Sequence, residues 1–83
     1  MDRDTMTTQP AEHDYILSTT GFTWNVRRSN GSGAVFSVSE GHRDRRAAVA
    51  KALSLGTADR TDVWETVGTG VFSRLGRFRP IRA

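Results

Sequence analysis

GFTWNVRRSNGSGAVFSVSEGHRDRRAAVAKAL, residues 21–53, carries the alternation and punctuation that decide the fold. Over residues 22–28 apolar and polar side chains alternate, which places Phe22, Trp24 and Val26 on one face of a strand and Thr23, Asn25 and Arg27 on the other. The segment Ser29-Asn30-Gly31-Ser32-Gly33 follows. Its Asn-Gly pair suits positive φ angles, and its length predicts a longer or bulged hairpin loop. Ala34, Phe36 and Val38 then alternate against Val35, Ser37 and Ser39, so a second strand is expected to pair antiparallel with the first. From Asp44 the period changes. Ala48, Val49, Ala52 and Leu53 fall at helical spacing on one side, and Arg45, Arg46 and Lys51 take exposed positions. Asp44 is the expected N-terminal cap, and Gly56 the expected left-handed residue that ends the helix.

Outward from that stretch, residues 15–18 read as a short strand and Thr19-Thr20-Gly21 as the turn into the next. Residues 62–67 and 71–75 read as two further strands joined by Gly68-Thr69-Gly70. The expectation is an α+β fold of order β-β-β-α-β-β, a small antiparallel sheet packed on one helix. Residues 1–14 lack apolar periodicity and are expected to form a flexible leader, residues 15–75 a single domain, and residues 76–83 a basic C-terminal tail. An 83-residue chain has a small core. Its expected large members are Trp24, Trp64, Phe22, Phe36, Phe72 and Tyr15, with Ile16, Val26, Val38, Val49 and Leu53 between them.

The chain has no cysteine, so packing or a partner holds it together rather than disulfides or thiolate metal sites. No apolar run resembles a signal segment or a membrane span, which makes a cytoplasmic location and no membrane partner the default. The formal charge of +3 is unevenly spread, with four acids against one arginine in residues 1–14 and eleven bases against five acids thereafter. A basic body attracts phosphate-bearing or acidic partners, and it also keeps a small domain in solution.

His13 and His42 are the two histidines, one of them in the expected leader, and Glu40, Asp44, Asp59, Asp62 and Glu65 are scattered over different elements. That pattern points to no catalytic pair, no metal site and no cofactor, hence to a protein that is not an enzyme. Gly31-Ser32-Gly33 and Gly68-Thr69-Gly70 do not lead from strand to helix as phosphate-cradling loops do, and read as hairpin turns. The polar sheet face is the stronger candidate, because Asn and Arg can read adenine and guanine edges when strands enter a groove. Asn25 and Arg27 are the candidate readers. Arg28, Arg43, Arg45, Arg46, Arg74, Arg77, Arg79 and Arg82 are candidates for phosphate contact. Trp64 is read as buried or, if exposed, as a stacking or interface anchor, and Phe78 has the same two readings.

Trp24-Asn25-Val26, the capped RRAAVAKAL helix and the DVWETVGTGVFSR hairpin together resemble a family of very short bacterial proteins of unknown function with a sheet-helix-hairpin pattern. Residues 21–53 also look like the three-stranded-sheet-plus-helix domains of phage integrase arm-binding regions and plant Apetala-type DNA-binding domains. That second resemblance implies sheet residues such as Asn25 and Arg27 in a major groove; the added C-terminal hairpin departs from it. The leading expectation is thus a small accessory or regulatory nucleic-acid-binding protein of bacterial or phage type. The alternative is a protein-protein module, such as a mobile-element factor that binds a host protein or forms a homodimer through a sheet edge.

Overall fold

A computed structural model of the chain describes residues 9–30 and 35–80. The elements follow in the order β1 (Tyr15–Thr19), β2 (Trp24–Ser29), β3 (Val35–His42), α1 (Arg45–Asp59), β4 (Val63–Gly68) and β5 (Val71–Gly76). This is the expected α+β class and the expected β-β-β-α-β-β order. The loop between β2 and β3 falls largely on residues outside the described ones. Across the sheet the strands lie β3-β2-β1-β4-β5. Neighbours are antiparallel except β1 and β4, which run parallel with Tyr15 beside Val63 and Leu17 beside Glu65. The sheet is therefore mixed where the sequence suggested an antiparallel one. The cause is the helical crossover: α1 returns the chain so that β4 starts beside the start of β1, and strands that start together run together.

α1 opens as expected, with Asp44 Oδ1 accepting from the Arg46 N–H at 3.1 Å. Its end differs. The helix runs on to Asp59, and Arg60 takes the left-handed conformation (φ 58°), its N–H and that of Thr61 both donating to Gly56 C=O. Gly56 instead lies on the buried line Ala48-Ala52-Gly56, four residues apart, which brings the helix backbone down onto the sheet. A Cβ at Gly56 would overlap Val63 Cγ2, and the Phe78 ring lies 3.2 Å from the same point. One at Gly76 would come within 2.6 Å of that ring. Phe78 thus packs into a seat left open by two glycines.

The core beneath α1 is Tyr15, Leu17, Val26 and Val63 with Ala48 and Ala52, surrounded by Trp24, Val49, Leu53, Leu55, Leu75 and Phe78. Leu17, Val26 and Val63 are wholly buried, and each such side chain contributes about 1.5–3 kcal/mol. Four expected core residues are elsewhere: Phe22 is 91% exposed, Phe36 54% and Val38 41%, and Phe72 is half-buried outside the cluster beneath α1. Phe22 sits in the turn before β2. Phe36 and Val38 belong to the edge strand, while α1 packs chiefly on β1 and β2.

The end of the sheet where β1 and β4 begin is closed by a polar cluster. Asp14, placed by sequence in the leader, is 1% exposed. Its carboxylate accepts from the N–H groups of Ala11 (2.9 Å) and Asp62 (3.1 Å) and from Trp64 Nε1 (3.0 Å), and it pairs with the Arg79 guanidinium. Asp62 repeats the arrangement one strand over, with Oδ1 accepting from the Phe78 and Arg79 N–H groups at 2.9 and 3.0 Å. These carboxylates thus hydrogen-bond backbone on either side of residues 15–75, at Ala11 before β1 and at Phe78 and Arg79 after β5.

Two stability outcomes follow. Asp14→Ala leaves a buried indole N–H, a buried backbone N–H and a half-exposed guanidinium without their acceptor, and is expected to cost about 3 kcal/mol by urea unfolding. Gly56→Ala is expected to destabilise by roughly 1–3 kcal/mol in spite of its better helix propensity. An unchanged midpoint for either variant contradicts the packing described.

Candidate interaction face

Strand pairing sorts the side chains onto two faces. α1 covers the face that holds Tyr15, Leu17, Val26 and Val63. Ile16 pairs laterally with Arg27 and Trp64, Arg27 with Ser37, and Trp64 with Arg74, so this row lies on the opposite face. No helix covers it. Trp64 is nevertheless 2% exposed, because the Arg74 guanidinium stacks 4.5 Å from its ring centroid and its indole N–H is held by Asp14. Beyond Trp64 the face forms a shallow concavity of about 320 Å³ lined by Ile16, Ser18, Arg27, Val35, Thr66 and Phe72.

The alternation over residues 22–28 assigned Asn25 and Arg27 to this side, but their environments differ. Arg27 is exposed and makes no ion pair or hydrogen bond among the described residues. Asn25 is buried, and its Oδ1 accepts from the Gly41 N–H at 3.0 Å. That bond belongs to an irregular stretch of β2 and β3. Register shifts flank Val26: Arg27 pairs with Ser37 and Val26 with Ser39, which leaves Val38 as an extra residue in β3, and Trp24 pairs with His42, which leaves a second extra residue between Ser39 and His42. Ser39, expected on the polar face, is thereby turned to the other side, where its Oγ lies 2.7 Å from His42 Nε2.

The arginines expected to contact phosphate are dispersed. Arg28 stacks 5.0 Å from the Tyr15 centroid, donates from Nε to His13 C=O at 3.1 Å and lies 3.6 Å from Asp59. Arg45 grips Glu65 with two hydrogen bonds, 3.0 and 2.7 Å, and stacks over Trp24. Arg74 covers Trp64 and lies 3.5 Å from Asp62, and Arg79 is held by Asp14 and by Glu12 C=O. Arg43, Arg46 and Arg77 make no ion pair among the described residues, but Arg43 and Arg46 flank the start of α1 whereas Arg77 follows β5 at the other end of the sheet. Arg82 lies outside the described residues. Among the candidates, only Arg27 lines the concavity.

Ile16, Ser18, Thr66 and Val35 were not among the sequence candidates, and Phe72 was assigned to the core. Their period-two spacing within each strand was visible; the neighbourhood of β1 and β4 that unites them was not. Among the described residues no group of three His, Asp or Glu side chains converges to hold a metal ion. Nor is any helix among the described residues long and apolar enough to cross a membrane.

Two titrations report on the contacts of Tyr15 with Asp59 and of Glu65 with Arg45. Burial first, then the hydrogen bond donated to Asp59, raises the Tyr15 hydroxyl above its ordinary value near 10. Its contribution to stability is complete below about pH 10 and is lost as pH climbs through the raised folded value. Arg45 hydrogen bonding lowers the Glu65 carboxyl against an opposing effect of burial. That contribution is present above the unfolded glutamate value, about 4.3, and is lost as pH falls through the lowered folded value. Urea midpoints measured across both ranges are expected to show Tyr15→Phe flattening the alkaline decline and Glu65→Gln reducing the acid one; wild-type slopes in both variants contradict the assignments.

No known protein-family model, curated protein or solved structure matches this chain, so the resemblances drawn from its sequence stand on those sequence features alone.

Proposed function

We propose that this protein is a non-enzymatic interaction module that engages a protein partner through the sheet face opposite α1 and the adjoining β3 edge. The observation that carries the reading is the concavity, left open by the described residues, where apolar Ile16, Val35 and Phe72 share the lining with an arginine that has no acceptor of its own among the described residues. β3 extends the surface. It is an edge strand with one neighbour, and Val35, Phe36 and Val38 are all exposed along it. Edge strands with apolar side chains and free backbone groups are natural templates for a partner. The bulge at Val38 and the charge of Glu40 limit pairing toward the strand's C-terminal half, which favours contact through residues 35–37 and the face beside them.

Nucleic acid is the second reading, supported by the absence of ion pairs at Arg27, Arg43, Arg46 and Arg77 among the described residues. Phosphate tracking needs several such cations along one path. Arg27 faces the concavity, and the other three lie near opposite ends of the sheet.

A photo-crosslinking residue in place of Ser37, introduced into the chain in its producing cells, separates the readings. The expected result is a discrete protein adduct that disappears when the crosslinker replaces exposed Lys51 instead. Adducts to nucleic acid, accompanied by retention on duplex DNA that falls steeply with salt, support the second reading; no adduct at Ser37 removes the first.

A further inference from the structure

The open sheet face has a definite charge arrangement. Its two buried carboxylates, Asp14 and Asp62, are already engaged by backbone N–H groups, the Trp64 indole and the arginines Arg79 and Arg74. Arg27 is the cation of this face that no described carboxylate approaches. It stands in the row between Ile16 and Ser37, with Val35 and Phe72 also on the walls of the concavity and the hydroxyls of Ser18 and Thr66 beside them.

Resting on the interaction-module reading, we infer that the concavity binds an extended acidic peptide segment of a partner protein. One aspartate or glutamate carboxylate pairs with the Arg27 guanidinium, and neighbouring apolar side chains of the segment lie along Ile16, Val35 and Phe72. The planar guanidinium accepts a carboxylate in a two-bond fork, and apolar surroundings strengthen that bond relative to open water. Ser37 is the small neighbour of Arg27 on β3, so the row stays low on the side from which a segment at the sheet edge would approach. Ser18 and Thr66 supply hydroxyls for the peptide backbone. The chain's positive charge draws an acidic segment toward the face. A phosphodiester chain fits less well, since it presents regularly spaced charges to a face where, among the described residues, Arg27 is the one guanidinium without a carboxylate partner and the lining is half apolar.

The test titrates the intact protein with the peptide acetyl-TVDFT-amide and with its neutral counterpart acetyl-TVNFT-amide, following backbone and arginine side-chain NMR signals. The acidic peptide is expected to move the signals of Ile16, Ser18, Arg27, Thr66 and Phe72 and to bind about tenfold more tightly than the neutral one. Arg27→Gln is expected to abolish that preference and Arg27→Lys to keep part of it. Arg27 is exposed, and the spectral dispersion of each variant checks that it folds. Equal affinity for the two peptides at this face overturns the carboxylate pairing and leaves the interaction module standing. No shift at the face with either peptide overturns the acidic-segment inference, and the crosslinking outcome at Ser37 decides the broader reading separately. A single-stranded oligonucleotide that moves the same signals more tightly than the acidic peptide assigns the face to nucleic acid instead.

Discussion

The Asp14 carboxylate is the contact on which the rest of this structure depends. The sheet consists of two pieces, the β3-β2-β1 meander and the β4-β5 hairpin, joined along one short parallel seam of Tyr15–Leu17 against Val63–Glu65. Parallel pairing is slightly the weaker kind per residue, and a three-residue seam has little to resist slippage. Asp14 sits at the head of one strand and takes the Asp62 N–H and the Trp64 indole N–H from the other, while Tyr15 N–H returns a bond to Asp62 C=O at 3.1 Å. A one-residue slip would leave a carboxylate and an indole N–H buried without partners, at a cost of several kcal/mol. The buried charge thereby selects one register. Through Asp62 and Arg79 it also fixes where the chain goes after β5.

That same closure determines which surface remains open. With the chain after Gly76 drawn back, Phe78 reaches the seat between Gly56 and Gly76 and completes the packing under α1. On the other face, Asp14 and Arg74 cover Trp64 from its edge and its plane. The large aromatic that sequence left ambiguous is therefore part of the fold and cannot stack on a base or a partner. What is left beyond it is the shallower stretch of Ile16, Ser18, Thr66 and Phe72 with Arg27 and Val35. The candidate surface is the part of an uncovered sheet face that the polar cluster does not reach.

Features encoded within a few residues were legible in the sequence. Alternation gave the correct sides for Trp24, Val26 and Arg27, Asp44 gave the helix start, and the two hairpins gave the element order. Features that depend on distant partners were not. Arg28 with Asp59, Arg45 with Glu65 and Arg79 with Asp14 are 31, 20 and 65 positions apart, and nothing in local spacing announces them. Gly56 looked like a helix terminator because local chemistry permits that role; its actual role is set by Val63 and Phe78 packing against it. A single bulged residue, Val38, was enough to reverse the side on which Ser39 falls.

Charge makes the difference between composition and structure most consequential for function. Eleven bases after residue 14 suggested a broad cationic surface. Yet four of the ten candidate residues are arginines bound into ion pairs with Asp59, Glu65, Asp62 and Asp14, three of them also lying over aromatic rings. An arginine so placed covers an apolar ring and satisfies a carboxylate at once, which is how a small chain without disulfides uses guanidinium groups to extend a limited core. Attraction at a distance follows the total charge, whereas recognition follows the cations still able to exchange water for a partner. Among the described residues of the open sheet face that distinction leaves Arg27, and its setting beside Ile16, Val35 and Phe72 favours one well-placed carboxylate over a run of phosphates.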